Sequence, residues 1–212
     1  MTADRIIKIS KPPVFLSCLI PVSLLAWKFA EQKLGADPVA VMQHSTGDWT
    51  LIFLCITLAV TPLRRLAHLP WLIRYRRMAG LFAFFYGVLH FITYLWFDQS
   101  FDWGAMVKDV YKRPFITAGF TAFLLMAPLA LTSTAGMTRR LGGRRWQALH
   151  RLVYASALAG VIHYLWLVKA DKRIPLRYAA LVGVLLGCRA VFAWLDRRRG
   201  TVAIRESAEG TS

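Results

Sequence analysis

The sequence predicts an all-α integral membrane protein, a bundle of six transmembrane helices. Three observations carry this reading. First, 57% of the 212 residues are apolar and mean hydropathy is +0.45, more than an ordinary soluble domain of this size carries. Second, the apolar residues gather in six runs near the ~20 residues that cross a hydrocarbon layer of about 30 Å. Third, the 27 basic and 11 acidic residues, net +16, fall between those runs rather than on one face. Strands are excluded because no ten-residue alternation occurs, and lipid tolerates only helices or closed barrels.

The runs are Pro13 to Ala30, Trp49 to Leu66, Met78 to Phe97, Pro114 to Leu131, Ala148 to Val168 and Pro175 to Leu195. The first follows Arg5, Lys8 and Lys11, as a signal peptide would, but Lys28 stands where cleavage after Ala30 needs a small residue, so the segment reads as a retained anchor. Pro21, Pro62 and Pro128 are expected to kink or end helices. The longest connections run through Gly35 to Asp48 and Asp98 to Arg113, read as loops. This gives a tail over 1–12, one transmembrane domain over 13–195 and a second tail over 196–212. Cys18, Cys55 and Cys188 each lie inside an apolar run with no C-x-x-C spacing, which excludes a disulfide framework, an iron-sulfur cluster and a thiolate zinc site.

The basic residues set the orientation. Eighteen of the 27 cluster on the side of the two tails and of the second and fourth connections, and nine lie on the other. By the positive-inside rule the six crossings leave both termini in the cytoplasm. The charge is thereby spent on topology, and no nucleic-acid partner is expected.

Ionisable side chains inside a membrane segment are costly and mark function. His90 lies in the third run and His163 in the fifth; these run in the same direction, so both fall at one depth near the outer face. Two imidazoles on neighbouring helices suit the axial positions of a six-coordinate heme. A mononuclear zinc ion would want three or four protein ligands, and no further donor matches this depth. His150 lies thirteen residues before His163, about 20 Å along a helix, so a second cofactor can sit near the inner face. Opposite it the third helix offers Arg76 and Arg77, poor iron ligands but good partners for a heme propionate or a flavin phosphate. His44 and His68 are placed in loops, without a ligand role.

Around these residues run GADP at Gly35 to Pro38, QHSTG at Gln43 to Gly47, TPLRR at Thr61 to Arg65 and IRYRRMAGL at Ile73 to Leu81. KRPFITAG at Lys112 to Gly119, PLALTST at Pro128 to Thr134, WQALHRLVY at Trp146 to Tyr154 and HYLW at His163 to Trp166 follow. Their order and spacing resemble, along nearly the whole chain, the heme-binding membrane subunits of periplasmic methionine-sulfoxide reductase systems, the MsrQ family. That family lies within the ferric-reductase-like transmembrane superfamily, whose bundle is of cytochrome b type. The resemblance implies one or two b-type hemes with His90, His150 and His163 as ligands, and Arg76 where eukaryotic oxidase relatives have a fourth histidine. It extends to FMN, which some members hold.

The resemblance also implies electrons taken from a cytoplasmic flavin reductase or a quinol and passed to a periplasmic molybdopterin enzyme that repairs oxidised methionines. The chain carries no G-x-G-x-x-G fingerprint or P-loop, so it is expected to borrow its donor. It is expected to serve as an electron-transfer subunit without catalytic residues of its own. Two rival readings are a ferric or oxygen reductase that passes electrons to a small acceptor, and a heme-free transporter or assembly factor.

Overall fold

A computed structural model describes the backbone of residues 3–209 and the side chains of residue 5 and of 9–198. The elements are helices throughout: α1 (Ala3–Ala30), α2 (Pro38–Leu66), α3 (Ile73–Thr93), α4 (Trp103–Lys112), α5 (Pro114–Leu131), α6 (Ala135–Leu149), α7 (Leu152–Leu167) and α8 (Arg173–Glu209). A 3₁₀ turn, Pro70–Leu72, leads into α3, and a π-helical turn, Tyr94–Asp98, closes it. Five spans are long and apolar enough to cross a membrane: Ile9–Ala30, Pro38–Leu66, Pro70–Asp98, Pro114–Leu131 and Arg173–Arg198. The sixth apolar helix, α7, has 16 residues, about 24 Å, and falls short of the ~30 Å hydrocarbon layer. The chain is a multi-pass helical membrane bundle.

Several boundaries differ from the sequence reading, each for a local reason. Asp37 caps α2, its carboxylate accepting from the Ala40 N–H at 3.0 Å with Pro38 in the first turn, so the helix starts eleven residues before Trp49. His44 is therefore helical and not in a loop. Between Asp98 and Arg113 the expected loop folds into α4, capped by Asp102 through the Ala105 N–H at 3.0 Å. The chain turns at His150 and Arg151, so His150 ends α6 instead of opening a span. The expected tails continue α1 and α8 over the described residues. Pro21, Pro62 and Pro128 all lie inside helices.

Helix α2 is central, packed mainly along α3 and also against α7 and α8, while α5 packs mainly on α7. Leu58, Ala83 and Ala157 are fully buried between them, and Ser156 donates across the interface to the Ala122 carbonyl at 3.0 Å. Small side chains with an interhelical hydrogen bond are how membrane helices approach closely where lipid removes the hydrophobic drive. Helix α1 lies outside, held by Phe15 against Phe82 at 5.1 Å and by Tyr86, whose hydroxyl donates to the Cys18 carbonyl at 2.8 Å. Leu24, Trp27, Ile56 and Val184 face outward and are largely exposed, which suits a lipid surround.

Candidate cofactor site

His90 on α3 and His163 on α7 meet inside the bundle, their ring centroids 6.1 Å apart and their planes at 74°. Each ring is fixed the same way. His90 Nδ1 donates to the Gln43 carbonyl of α2 at 3.1 Å, and His163 Nδ1 to the Phe115 carbonyl of α5 at 2.6 Å. A carbonyl can only accept, so both protons sit on Nδ1, and both Nε2 atoms keep a lone pair for a metal.

Each ring also rests on a glycine. A Cβ at Gly47 would stand 3.2 Å from His90 Cε1, and one at Gly119 would stand 2.7 Å from His163 Nδ1. The second approach is closer than real Cβ contacts come. The two glycines end the QHSTG and KRPFITAG stretches. Sequence reading quoted those stretches without seeing why they end in glycine, because the partner ring lies 43 or 44 residues further along the chain.

Both histidines line a cavity of about 730 Å³ between α2, α3, α5 and α7, within the ~300–1,000 Å³ of small-ligand sites. Gly87, Phe120, Phe123 and Gly160 supply part of its apolar wall, and Tyr94, Asp98, Arg113 and Lys169 supply polar lining. The π-helical turn after His90 places Asp98 to accept from Gln43 Nε2 at 2.6 Å, while Tyr94 and Gln99 bond Asp109 of α4, closing this end of the cavity.

These residues fit a heme. A metal–nitrogen bond of about 2.0 Å on each side of one iron puts two coordinated imidazole centroids roughly 6 Å apart, as seen here. Among the described residues no group of three or more His, Cys, Asp or Glu is placed to hold a metal ion. Two nitrogen donors alone suit a metal whose other ligands come from a macrocycle.

His150 stands apart from this cavity. Its ring stacks on Trp146 at 3.8 Å, Nδ1 donates to the Trp146 carbonyl at 3.0 Å, and Nε2 is 3.5 Å from Ser133 Oγ. The indole N–H is held by the Thr132 carbonyl at 3.0 Å. Among the described residues no second histidine is in ring contact with it. Arg76 is its cationic neighbour, whereas Arg77 is exposed, so the two adjacent arginines part company. His44 lines the rim of the cavity with its side chain exposed, and His68 is exposed in a turn at φ +53°.

The sequence reading counted Arg189 only toward topology. In the fold it reaches across two interfaces: Nη1 donates to the Tyr154 hydroxyl of α7 and Nη2 to the Leu58 carbonyl of α2, both at 2.8 Å. The signal was present, an arginine inside the apolar run from Pro175 to Leu195.

A family model described as the ferric reductase like transmembrane component matches residues 46–161, a stretch that holds His90 and His150 and stops two residues before His163. A relative from Herminiimonas arsenicoxydans is 54% identical over 89% of this chain and 88% of its own. One from Ralstonia nicotianae is 53% identical over 90% and 88%, and one from Rhodospirillum rubrum 48% identical over 94% and 98%. All three are named protein-methionine-sulfoxide reductase heme-binding subunit MsrQ. The chain belongs to the MsrQ family of ferric-reductase-like membrane proteins. Four apolar helices of this MsrQ-family chain, α2, α3, α5 and α7, thus bring two of the three histidines singled out from the sequence to one cavity.

Proposed function

We propose that this chain is the heme-carrying membrane subunit of a methionine-sulfoxide reductase system, conducting electrons across a bacterial inner membrane to a periplasmic molybdopterin partner. The observation that carries the reading is the His90–His163 pair at 6.1 Å with both Nδ1 protons held by carbonyls. A bound b-type heme supplies a one-electron Fe(III)/Fe(II) couple. His90 and His163 would hold it through their Nε2 atoms, which the Nδ1 hydrogen bonds leave free. Gly47 and Gly119 let the rings seat, and the apolar wall excludes water. Arg113 and Lys169 are cationic partners for carboxylates at the outer mouth.

On the inner side His150 and the neighbouring Arg76 hold a second cofactor, a heme or an FMN, with exposed Arg77 available to a phosphate or to the donor. A cytoplasmic flavin reductase or a quinol supplies the electrons, and both termini lie in the cytoplasm. The relatives' shared name supports the heme and the reductase system, and the 18-to-9 split of basic residues supports the direction.

The test is the absorption spectrum of the purified protein with heme quantitation. The expected result is a low-spin b-type spectrum on reduction, with little carbon monoxide binding. His90→Ala and His163→Ala should each abolish the outer heme, and His44→Ala should leave it. A colourless protein, or equal loss from His44→Ala, overturns the reading.

A further inference from the structure

Between the end of the third span at Asp98 and the start of the fourth at Pro114 lies α4, and its three faces meet different surroundings. Successive side chains step about 100° round a helix. Trp103, Val107 and Tyr111, four residues apart, form one stripe, exposed by 60%, 62% and 89%. Met106, which is buried, and Asp109 lie roughly 130° from the middle of that stripe. Asp109 turns toward the bundle, accepting from Gln99 Nε2 at 2.9 Å and from the Tyr94 hydroxyl at 3.3 Å. Lys108 and Lys112, both exposed, occupy the third face, roughly 120° from the stripe on its other side. One short helix thus carries an anchored face, an apolar face and a cationic face.

The apolar face extends beyond α4. Ser100 and Phe101 take left-handed backbone conformations, φ +47° and +60°, which non-glycine residues seldom adopt. Their turn sets Phe101 beside Trp96, ring centroids 6.0 Å apart, with both side chains at least half exposed. Backbone strain that holds an aromatic ring outward points to surroundings that receive it.

We propose that α4 lies flat in the head-group layer at the His163 end of the bundle, with Trp103, Val107 and Tyr111 sunk into lipid, so that the bilayer itself is the partner of this surface. The tethers make it lie flat. Four residues separate Asp98 from Trp103 and one separates Lys112 from Pro114. Both ends of a helix about 15 Å long are thereby held where membrane spans end on one side. An in-plane helix sinks its apolar side about 5–10 Å into the head-group boundary and keeps basic residues on its polar side. Lysines on the adjoining face suit this, because their long apolar stems let the ammonium groups reach the phosphates. Tryptophan and tyrosine are the side chains that this boundary favours. The stripe also continues the lipid-facing surface of the preceding span, where Trp96 and Phe97 are exposed. A soluble protein arriving from the water would meet Lys108 and Lys112 first, which disfavours it as the occupant. Lipid under α4 then supports the contacts of Asp109 with Tyr94 and Gln99 that close this end of the histidine cavity.

The experiment uses the full chain, with Cys18, Cys55 and Cys188 replaced by Ala, in nanodiscs of dioleoylphosphatidylcholine and dioleoylphosphatidylglycerol. One nitroxide-labelled cysteine is introduced at a time. Electron paramagnetic resonance reads its collisions with oxygen, which concentrates in lipid, and with a water-soluble nickel chelate. The oxygen-to-nickel ratio at Val107→Cys and Tyr111→Cys should exceed that at Lys108→Cys and Lys112→Cys about fivefold, as a depth of ~5–10 Å implies. Val107→Asp should raise nickel collisions at a Tyr111→Cys label, whereas Lys108→Asn should not.

Helix content and elution volume certify the fold of each variant, and Trp103→Cys takes the place of Tyr111→Cys if that variant does not fold. Equal ratios at Val107→Cys and Lys108→Cys put the stripe in water, open to a soluble partner, and overturn the proposal. Low collision rates with both reagents at Val107→Cys also overturn it, because protein, such as a second copy of the chain, then covers the stripe. The measurement needs no heme, so loss of the electron-transfer reading would leave its outcome unchanged.

Discussion

His163 sits so close to Gly119 that the neighbouring helix has no room for a methyl group: a Cβ there would lie 2.7 Å from Nδ1 and 3.0 Å from Cγ. The ring cannot simply swing away, because Nδ1 is tied to the Phe115 carbonyl at 2.6 Å on the same helix. Gly119→Ala should therefore displace the imidazole or push α5 from α7. The overpacking cost is about 1–3 kcal/mol, read as a lower melting temperature and a heme-to-protein ratio below wild type. Gly47→Ala, at 3.2 Å from His90, should do less, and Gly143→Ala, with nothing within 4 Å, should do nothing. Equal effects at all three positions would sink the seat argument.

The two proposed cofactor positions are separable. His150 contacts Trp146 and Ser133 but does not line the His90–His163 cavity. His150→Ala should keep the outer-heme spectrum and slow its reduction by a cytoplasmic flavin reductase or a quinol, measured by stopped-flow absorbance. NADH without a second protein should reduce neither form. Normal reduction of His150→Ala would remove this residue from the route.

Orientation can be tested without any cofactor. Reporters active only in the periplasm should work when fused after Asp102 or Asp171 and fail after Arg140 or Arg199. The opposite pattern would reverse the direction of electron flow.

Ser156 gives a measure of packing. It is fully buried and donates to Ala122, and membrane interhelical hydrogen bonds average about 0.6 kcal/mol with an upper end near 1.7. Ser156→Ala should thus cost about 1 kcal/mol in a reversible unfolding titration and leave the heme spectrum unchanged. Ser156→Leu should cost more, because α5 and α7 would have to separate.

The six apolar runs and the meeting of His90 with His163 were legible because hydrophobic run length and helical rise are local properties of the chain. Long-range partners were not. Nothing in the sequence near Gly119 announces a ring brought in from α7, and Arg189 was read as a topological charge because its two acceptors, Leu58 and Tyr154, lie 131 and 35 residues away. His150 was misplaced for a different reason: Ala148, Leu149, Leu152 and Val153 are apolar on both sides of the break, so hydropathy runs straight through a turn that backbone geometry makes.

The shortness of α7 has a consequence for the surrounding lipid. At about 24 Å against a hydrocarbon layer of about 30 Å, it creates a negative hydrophobic mismatch that the bilayer relieves by thinning locally. His163 lies four residues from the end of that helix at Leu167, about 6 Å of rise. Under the function proposed above, a thinned leaflet would bring the aqueous phase down toward the histidine pair, so that a water-soluble acceptor could approach it without inserting any part of itself into the membrane.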